Sequence, residues 1–180
     1  MNITLISGTN RQGSKTLLLT KNIEQKLIEA GVQTHLLDLR TLPSSLLSPT
    51  AYDEKPAEFT AFEEAVLQSD GLYIVAPEYN GGFPGVLKLF IDMLPFPESF
   101  EARPVAFVGL ASGQFGNRRG IEQLQMVFGY RNAHIFPKRI FLPRVSKELN
   151  EDGSLIDPKQ NVRLQTQVDG FIDFVQHLKA

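Results

Sequence analysis

The chain has 180 residues, of which 42% are hydrophobic, 13 are phenylalanine and none is cysteine, and its formal net charge is −2. This length and apolar content predict a single domain, residues 1–180, with a sizeable core. Interspersed charges give no basic surface for nucleic acid or an anionic membrane, and the lack of cysteine excludes disulfides, thiolate catalysis and cysteine-ligated metals.

Short apolar segments alternate along the chain with amphipathic segments of helix length, a pattern typical of an α/β fold with a parallel sheet. The predicted strands are residues 3–7, 33–37, 71–77, 104–109 and 133–141. The third and fourth are almost continuously apolar, which indicates central strands covered on both faces.

Apolar side chains at helical spacing predict three helices of this fold. The three apolar stripes are Leu19, Ile23, Leu27 and Ala30; Val86, Leu87, Phe90, Met93 and Leu94; and Leu164, Val168, Phe171, Ile172, Val175 and Leu178. We expect the first and last stripes to face the core.

Residues 39–55 form a long connection that contains several prolines and serines. Connections of this length without regular structure are uncommon and are often functional. The segment is either a functional loop or a surface excursion whose Leu46, Leu47 and Tyr52 fold onto the core, and the sequence favours neither interpretation.

The loop after the first strand, residues 7–16 (SGTNRQGSKT), has the features of a phosphate site. Gly8 and Gly13 permit close backbone approach. The hydroxyl side chains beside the N–H groups of the helix start are Ser7, Thr9, Ser14 and Thr16. Arg11 and Lys15 oppose the helix dipole by roughly 0.3–1 kcal/mol each unless an anion lies between them. A plain N-cap at Ser14 explains part of the same pattern.

This loop is also one insertion away from a P-loop, in which lysine directly follows the second glycine. Here Ser14 separates Gly13 from Lys15, and one extra residue rotates a side chain by about 100° around a helix. The third strand ends in residues 76–78, Ala-Pro-Glu, without an aspartate that would hold Mg²⁺. A nucleotide triphosphatase is therefore only a minor alternative.

The loop after the third strand, residues 77–85, contains no basic residue. Residues 80–82, Asn-Gly-Gly, predict a tight turn with exposed amides, and Tyr79 and Phe83 flank this turn with aromatic rings. Such a loop suits a planar heterocycle, although an ordinary turn before a helix explains it equally well. A third loop, residues 111–118, follows the next buried strand. Because loops at the carboxyl ends of parallel strands meet in one crevice, we expect one ligand site.

These motifs resemble those of the NADPH-dependent FMN reductase family, over nearly the whole chain. The family pattern Gly-Ser-x-Arg, followed by Ser and by Asn or Thr, is matched by residues 8–11 and 14–16. The more specific pattern Pro-Glu-Tyr-Asn-Gly, followed by Pro-Gly and Leu-Lys, is matched by residues 77–81 and 84–88.

The resemblance implies a flavodoxin-like fold: three layers around a doubly wound sheet of five parallel strands in the order 2-1-3-4-5. It also implies FMN and NADPH or NADH as cofactors, with the FMN phosphate on the first loop and the isoalloxazine ring on the second. The third loop would cover the other side of the flavin. The predicted cofactor-binding residues are Ser7, Thr9, Arg11, Ser14, Lys15, Thr16, Pro77, Glu78, Tyr79, Asn80, Gly81, Ser112, Gly113 and Gly116.

Two residues depart from the family pattern. Thr9 replaces the usual serine but keeps a hydroxyl group, and Asn117 stands where the third loop often has glycine. Asparagine is among the few residues that tolerate the left-handed region, so neither departure removes flavin binding. Arg118 and Arg119, which begin a helix, are either solvated or contact a phosphate of the dinucleotide.

The implied function is an FMN-dependent NAD(P)H oxidoreductase that reduces a small acceptor such as a quinone, a free flavin or an azo dye. Flavin N5 would carry the hydride in a ping-pong sequence, without a metal and without a catalytic acid or base from the protein. A flavodoxin-type carrier, which binds FMN without turning over NAD(P)H, is the alternative. Carriers usually need a strongly acidic face, which this balanced composition lacks.

The expected assembly is a homodimer or homotetramer, on the family resemblance and on Phe83, Phe90, Phe96 and Phe100 around the flavin loop. No apolar run approaches the roughly 18 residues that span a bilayer, and the N-terminus shows no signal peptide. We therefore expect a cytoplasmic protein that binds neither a membrane nor nucleic acid.

Overall fold

A parallel sheet forms the centre of the computed structural model, which describes residues 1–179. Its strands are β1 (Asn2–Ser7), β2 (Gln33–Asp38), β3 (Gly71–Pro77), β4 (Pro104–Leu110), β5 (His134–Ile135) and β6 (Ile140–Leu142). The order is β2-β1-β3-β4-β5, and β6 also pairs with β4. This order confirms the predicted doubly wound topology, in which the ligand crevice lies where the strand order reverses.

The two central strands are apolar because both of their faces are covered. All seven residues of β4 and the first six residues of β3 are buried. Paired residues such as Ile74 with Phe107 and Val75 with Val108 fill opposite faces of the sheet.

Helices cover both faces of the sheet. Those within the described residues are α1 (Lys15–Glu29), α2 (Thr60–Leu67), α3 (Gly85–Met93), α4 (Arg118–Tyr130) and α5 (Pro158–Lys179). Helices α1 and α5 pack on one face through side chains such as Leu19 and Phe171, and α2, α3 and α4 pack on the other through Phe62, Phe90 and Leu124. The three predicted layers are thus present. None of the helices in residues 1–179 combines the length and apolar character needed to cross a bilayer.

Two residues of the predicted helical stripes do not face the core. Ala30 is the exposed C-cap of α1 rather than part of its apolar face. Leu178 is 44% exposed and lies in the last turn of α5.

The fifth strand differs from the prediction. Residues 133–141 were expected to form one strand, but they form two short pieces, β5 and β6, which both pair with β4. Pro137 cannot donate a ladder hydrogen bond, and the carbonyl group of Lys138 instead accepts a hydrogen bond of 2.8 Å from Gln167 Nε2 of α5. The ladder is therefore interrupted between the two pieces.

The connection between β2 and α2 is made of short 3-10 turns, at Leu39–Thr41, Ser44–Leu47, Pro49–Tyr52 and Ala57–Phe59. Leu46 is buried, but Leu47 is 78% exposed and Tyr52 is 65% exposed. The surface-excursion interpretation therefore holds for Leu46 alone of the three side chains that it named.

Candidate functional site

The three predicted loops meet at the carboxyl ends of β1, β3 and β4, which are neighbouring parallel strands. A cavity of about 290 Å³, the crevice, lies between the loops. The predicted cofactor-binding residues that line it are Arg11, Ser14, Lys15, Thr16, Pro77, Glu78, Tyr79 and Ser112. The topology brings these residues together, since they belong to three loops that follow three strands at the same sheet edge.

The other predicted cofactor-binding residues lie in the same loops but not on the crevice wall: Ser7, Thr9, Asn80, Gly81, Gly113 and Gly116. Ser7 and Thr9 are buried below the first loop. Asn80 and Gly81 form the tip of the second loop, between the bridged residues Tyr79 and Gly82.

Several residues on the crevice wall were not predicted as cofactor-binding: Gln12, Gly13, Leu110, Ala111 and Val145. Leu110 and Ala111 end β4 and begin the third loop, so the strand boundary could have indicated them. Val145 comes from the segment after β6, where no motif indicated a binding residue.

The first loop presents open backbone N–H groups at the start of α1. Ser14 caps this helix, because its Oγ accepts hydrogen bonds from the N–H groups of Thr16 at 3.1 Å and Leu17 at 3.4 Å. The N–H groups of residues 12–15 have no acceptor within residues 1–179. The first turn of α1 contains no acidic residue. Free N–H groups at a helix start form an anion site.

Two basic side chains add positive charge to this loop. Neither Arg11 nor Lys15 forms an ion pair within the described part of the chain. Both line the crevice, so their charges are available to an anionic group there. The conflict of these cations with the helix dipole, seen in the sequence, is thus not relieved by a carboxylate of the protein itself.

Two buried hydroxyl groups lie beneath the first loop. The Thr9 Oγ1 atom is 2.6 Å from the Tyr79 hydroxyl oxygen and accepts a hydrogen bond of 3.3 Å from the Arg11 N–H. Ser7 is 1% exposed, and its Oγ has no partner within residues 1–179. A buried hydroxyl without a partner costs about 1–3 kcal/mol. Ser7 lies below the first loop and does not line the crevice.

The second loop is a tight turn whose backbone angles favour the residue types found there. Tyr79 and Gly82 exchange both backbone hydrogen bonds, at 2.9 and 3.0 Å, and the central residues Asn80 and Gly81 have φ values of 52° and 77°. Positive φ at both central positions defines a type I′ turn, for which Asn-Gly is the preferred pair. The N–H groups of these two residues have no acceptor among residues 1–179, as predicted, but the Gly82 N–H, which was also predicted to be open, donates to the Tyr79 carbonyl oxygen.

Asn117 fastens the third loop to the second. It is fully buried at φ 64°. Its Nδ2 donates hydrogen bonds to the carbonyl oxygens of Ala76 at 2.8 Å and Pro77 at 2.9 Å, and its backbone N–H donates to Glu78 Oε2 at 3.2 Å. The sequence indicated only that Asn117 tolerates a left-handed backbone. The structure shows that it also holds the end of β3 and the start of the second loop.

The third loop is packed closely between β4 and the segment after β6. A Cβ atom on Gly109 would lie 2.5 Å from the carbonyl oxygen of Gly116, so only glycine allows this approach. Backbone hydrogen bonds join Ala111 to Leu142 at 3.0 Å and Val145 to Ala111 at 2.9 Å. These bonds place Val145 at the crevice.

Arg118 and Arg119 are exposed where α4 begins. Their guanidinium groups lie 5.6 Å from the ring centre of Phe141 and 5.7 Å from that of Phe115. Neither arginine forms an ion pair within residues 1–179, and both interpretations of these residues stay open.

Together, the sheet order and the crevice define a flavodoxin-like α/β protein with its ligand site at the reversal of strand order. The sequence profile of the NADPH-dependent FMN reductase family matches residues 1–146. The chain belongs to this family, and it is an FMN-dependent NAD(P)H oxidoreductase. The predicted enzyme class and cofactors are thereby confirmed, and the family supports the reductase over the electron carrier.

Known proteins resemble the chain over nearly its full length. It is 28% identical over 180 residues to the NADH:(hydroxy)cinnamate reductase subunit CrdA of Vibrio ruber, covering 98% of this chain and 88% of that protein. It is 27% identical over 184 residues to a quinone reductase of Escherichia coli, covering 99% and 97%. Among solved structures, the NAD(P)H:(acceptor) oxidoreductase FerB of Paracoccus denitrificans has a TM-score of 0.82 at 23% identity, covering 98% and 97%, which shows a shared fold.

Proposed function

We propose that the crevice holds FMN, with the phosphate on the first loop and the isoalloxazine ring between the second and third loops. The observation that carries this proposal is the convergence, in one cavity, of the anion site at residues 11–16 with the wall formed by residues 77–79 and Ser112. Phosphate and ring contacts are thus separated along one site, as FMN requires.

The residues present fit this cofactor. The free N–H groups of residues 12–15, together with Arg11 and Lys15, suit a terminal phosphate dianion. A loop that binds a terminal phosphate favours FMN over FAD, whose phosphates are internal.

Bound FMN supplies two-electron redox chemistry between a reduced nicotinamide and an acceptor. The role of the chain is then to bind and orient the cofactor and the substrates, and to exclude water from the site. The turn amides of Asn80 and Gly81 and the backbone around Glu78 would hold the ring edge, and Ser112, Gly113 and Gly116 would cover the other side. No side chain has to donate or remove a proton in this arrangement.

The acceptor in this proposal is a small planar molecule such as a quinone, a free flavin or an azo dye, in line with relatives named quinone reductase and azoreductase. One crevice would receive the nicotinamide and the acceptor in turn, because the three loops enclose a single cavity there. We therefore expect ping-pong kinetics, seen as parallel double-reciprocal plots. Intersecting plots with NADPH and a quinone would contradict alternate use of one site.

A titration with FMN tests the site, and anaerobic reduction tests the reaction. We expect FMN fluorescence to be quenched by the purified chain, and excess NADPH or NADH to bleach the bound flavin. Unquenched FMN would contradict the site. Bound FMN that stays oxidised with both nicotinamides but is reduced by dithionite would contradict the reductase function.

We also propose that the single domain, residues 1–180, acts in the cytoplasm as a homodimer or homotetramer. Phe90 and Phe100 are buried and Phe83 is partly buried within the chain. These three phenylalanines therefore support an interface between copies of the chain less than the sequence indicated. Phe96, by contrast, is 66% exposed and could contact a partner. Sedimentation at micromolar concentration tests the assembly, and a monomer would contradict it.

A further inference from the structure

A second cavity, larger than the crevice, lies directly beyond Tyr79. It has a volume of about 470 Å³, and we call it the leucine cavity. Tyr79 lines both cavities, and the consecutive residues Asn10 and Arg11 line one each. The leucine cavity and the crevice are therefore neighbours, separated by one aromatic side chain of the second loop.

The walls of the leucine cavity are mainly aliphatic. One wall comes from the 3-10 turns after β2 and the other from the first turns of α3. The aliphatic side chains that give the cavity its character are Leu39, Leu42, Leu46, Leu47, Val86 and Leu89. Leu47 remains 78% exposed at this position. Aliphatic walls next to a binding site favour a flexible apolar group over a ligand held by many hydrogen bonds.

Two polar side chains of this cavity, Arg40 and Tyr79, are already paired within the protein. The Arg40 side chain is paired with Asp38, with Nε 2.8 Å and Nη2 2.5 Å from Oδ2. The Tyr79 hydroxyl is paired with Thr9. Because Asp38 compensates the charge of Arg40, the leucine cavity offers no free positive charge to an anionic ligand.

We propose that the leucine cavity accommodates the uncharged alkyl substituent of a quinone acceptor whose ring enters the crevice. This inference rests on the proposed function and names the substrate class of the same site. A substituent attached to the ring would pass Tyr79 and replace water along the leucine side chains. The long connection after β2 then has a role, since its 3-10 turns form one wall of the site.

A quinone series tests this inference. We would measure kcat/KM with NADPH and benzoquinones that carry hydrogen, methyl, butyl or decyl at one ring position, all below their micelle concentrations. Burial of each methylene group raises affinity by at most about fourfold. Even a gain of about twofold for each of the four carbon groups of butyl would raise kcat/KM about sixteenfold, so we expect a rise of at least tenfold from hydrogen to butyl and a plateau once the cavity is full.

Two variants test whether the leucine cavity causes the effect of the alkyl chain on kcat/KM. In Leu47→Asp and Val86→Asp, the ratio of kcat/KM for butyl to unsubstituted quinone should fall towards one, because a carboxylate would face the alkyl chain. Leu67→Asp is the matched control: Leu67 is 40% exposed on α2 and does not line the leucine cavity. This variant should keep the ratio of the unchanged chain.

The outcomes separate this inference from the proposed function. Reduction of every quinone at the same kcat/KM would overturn the alkyl site and leave the reductase function intact. An equal fall of the ratio in Leu47→Asp and Leu67→Asp would show partition onto the surface in general, and would also overturn it. A change from oligomer to monomer in Leu47→Asp would assign the cavity to an interface between copies of the chain. Failure of NADPH and NADH to reduce bound FMN would contradict both proposals.

Discussion

Replacement of Asn117 by glycine should loosen the crevice without straining the backbone. Glycine adopts φ values near 64° freely, so the change removes the side chain alone. The two lost hydrogen bonds, to the carbonyl oxygens of Ala76 and Pro77, are at least partly buried. At about 0.5–1.5 kcal/mol each, their loss lowers the free energy of unfolding by about 1–3 kcal/mol. We further expect FMN affinity to fall about tenfold, equivalent to about 1.4 kcal/mol.

Urea unfolding of the FMN-free chain measures the first effect, and quenching of FMN fluorescence measures the second. Asn132→Gly is the matched control, because Asn132 has φ 58° and is exposed, and its Nδ2 bonds to Glu101 Oε2 at 2.9 Å at the surface. This variant should change stability by less than about 0.5 kcal/mol and leave FMN affinity unaltered. Unaltered FMN affinity in Asn117→Gly would refute the idea that this residue positions the crevice, whatever its effect on stability.

The other predictions concern the first loop, the second loop and the change of stability at acidic pH. Arg11→Ala and Ser14→Ala should each weaken FMN binding, since a hydrogen bond to a charged group contributes about 1.5–3 kcal/mol; titration showing wild-type affinity in both would reduce the loop to a plain helix cap. Tyr79→Phe should retain most of the turnover with NADPH and a quinone, because the hydroxyl transfers no proton; a hundredfold loss would show otherwise. Burial raises the pKa of Asp70, but hydrogen bonds from Lys179 and a backbone N–H outweigh it and lower the net pKa. Its stabilising contribution is therefore present above the unfolded pKa of about 3.9 and lost as pH falls below it, so urea unfolding of Asp70→Asn should vary less with pH below about 4.

The sheet and the position of the crevice were predictable because they depend on local patterns. Continuous apolar segments marked the buried strands, and glycine, proline and hydroxyl residues marked where each strand ends. The type I′ turn at Asn80 and Gly81 was readable for the same reason, since its backbone angles select its residue types. Patterns of this kind need no knowledge of what packs against them.

Features that depend on distant contacts were not predictable. Asn117 contacts residues about 40 positions earlier in the chain, and nothing near it in sequence announces that pairing. At the interruption of the fifth strand, the Lys138 carbonyl group bonds to Gln167, which is 29 residues further along the chain. Val145 reaches the crevice through a backbone bond to Ala111. In each case the deciding partner lies on another element of the fold.

These long-range contacts make the three loops one connected unit. The Gly8 N–H bonds to the carbonyl oxygen of Val75 at 2.9 Å, and Thr9 bonds to Tyr79, so the first loop is tied to β3 and to the second loop. Hydrogen bonds of Asn117 connect the second loop to the third, and backbone hydrogen bonds connect the segment after β6 to the third loop. A site fixed by hydrogen bonds within the protein is organised before any ligand arrives, which lowers the entropy lost on binding. We propose that orientation of a bound cofactor and its partner is then the chief task of this chain, a task that would require no acid or base at the crevice.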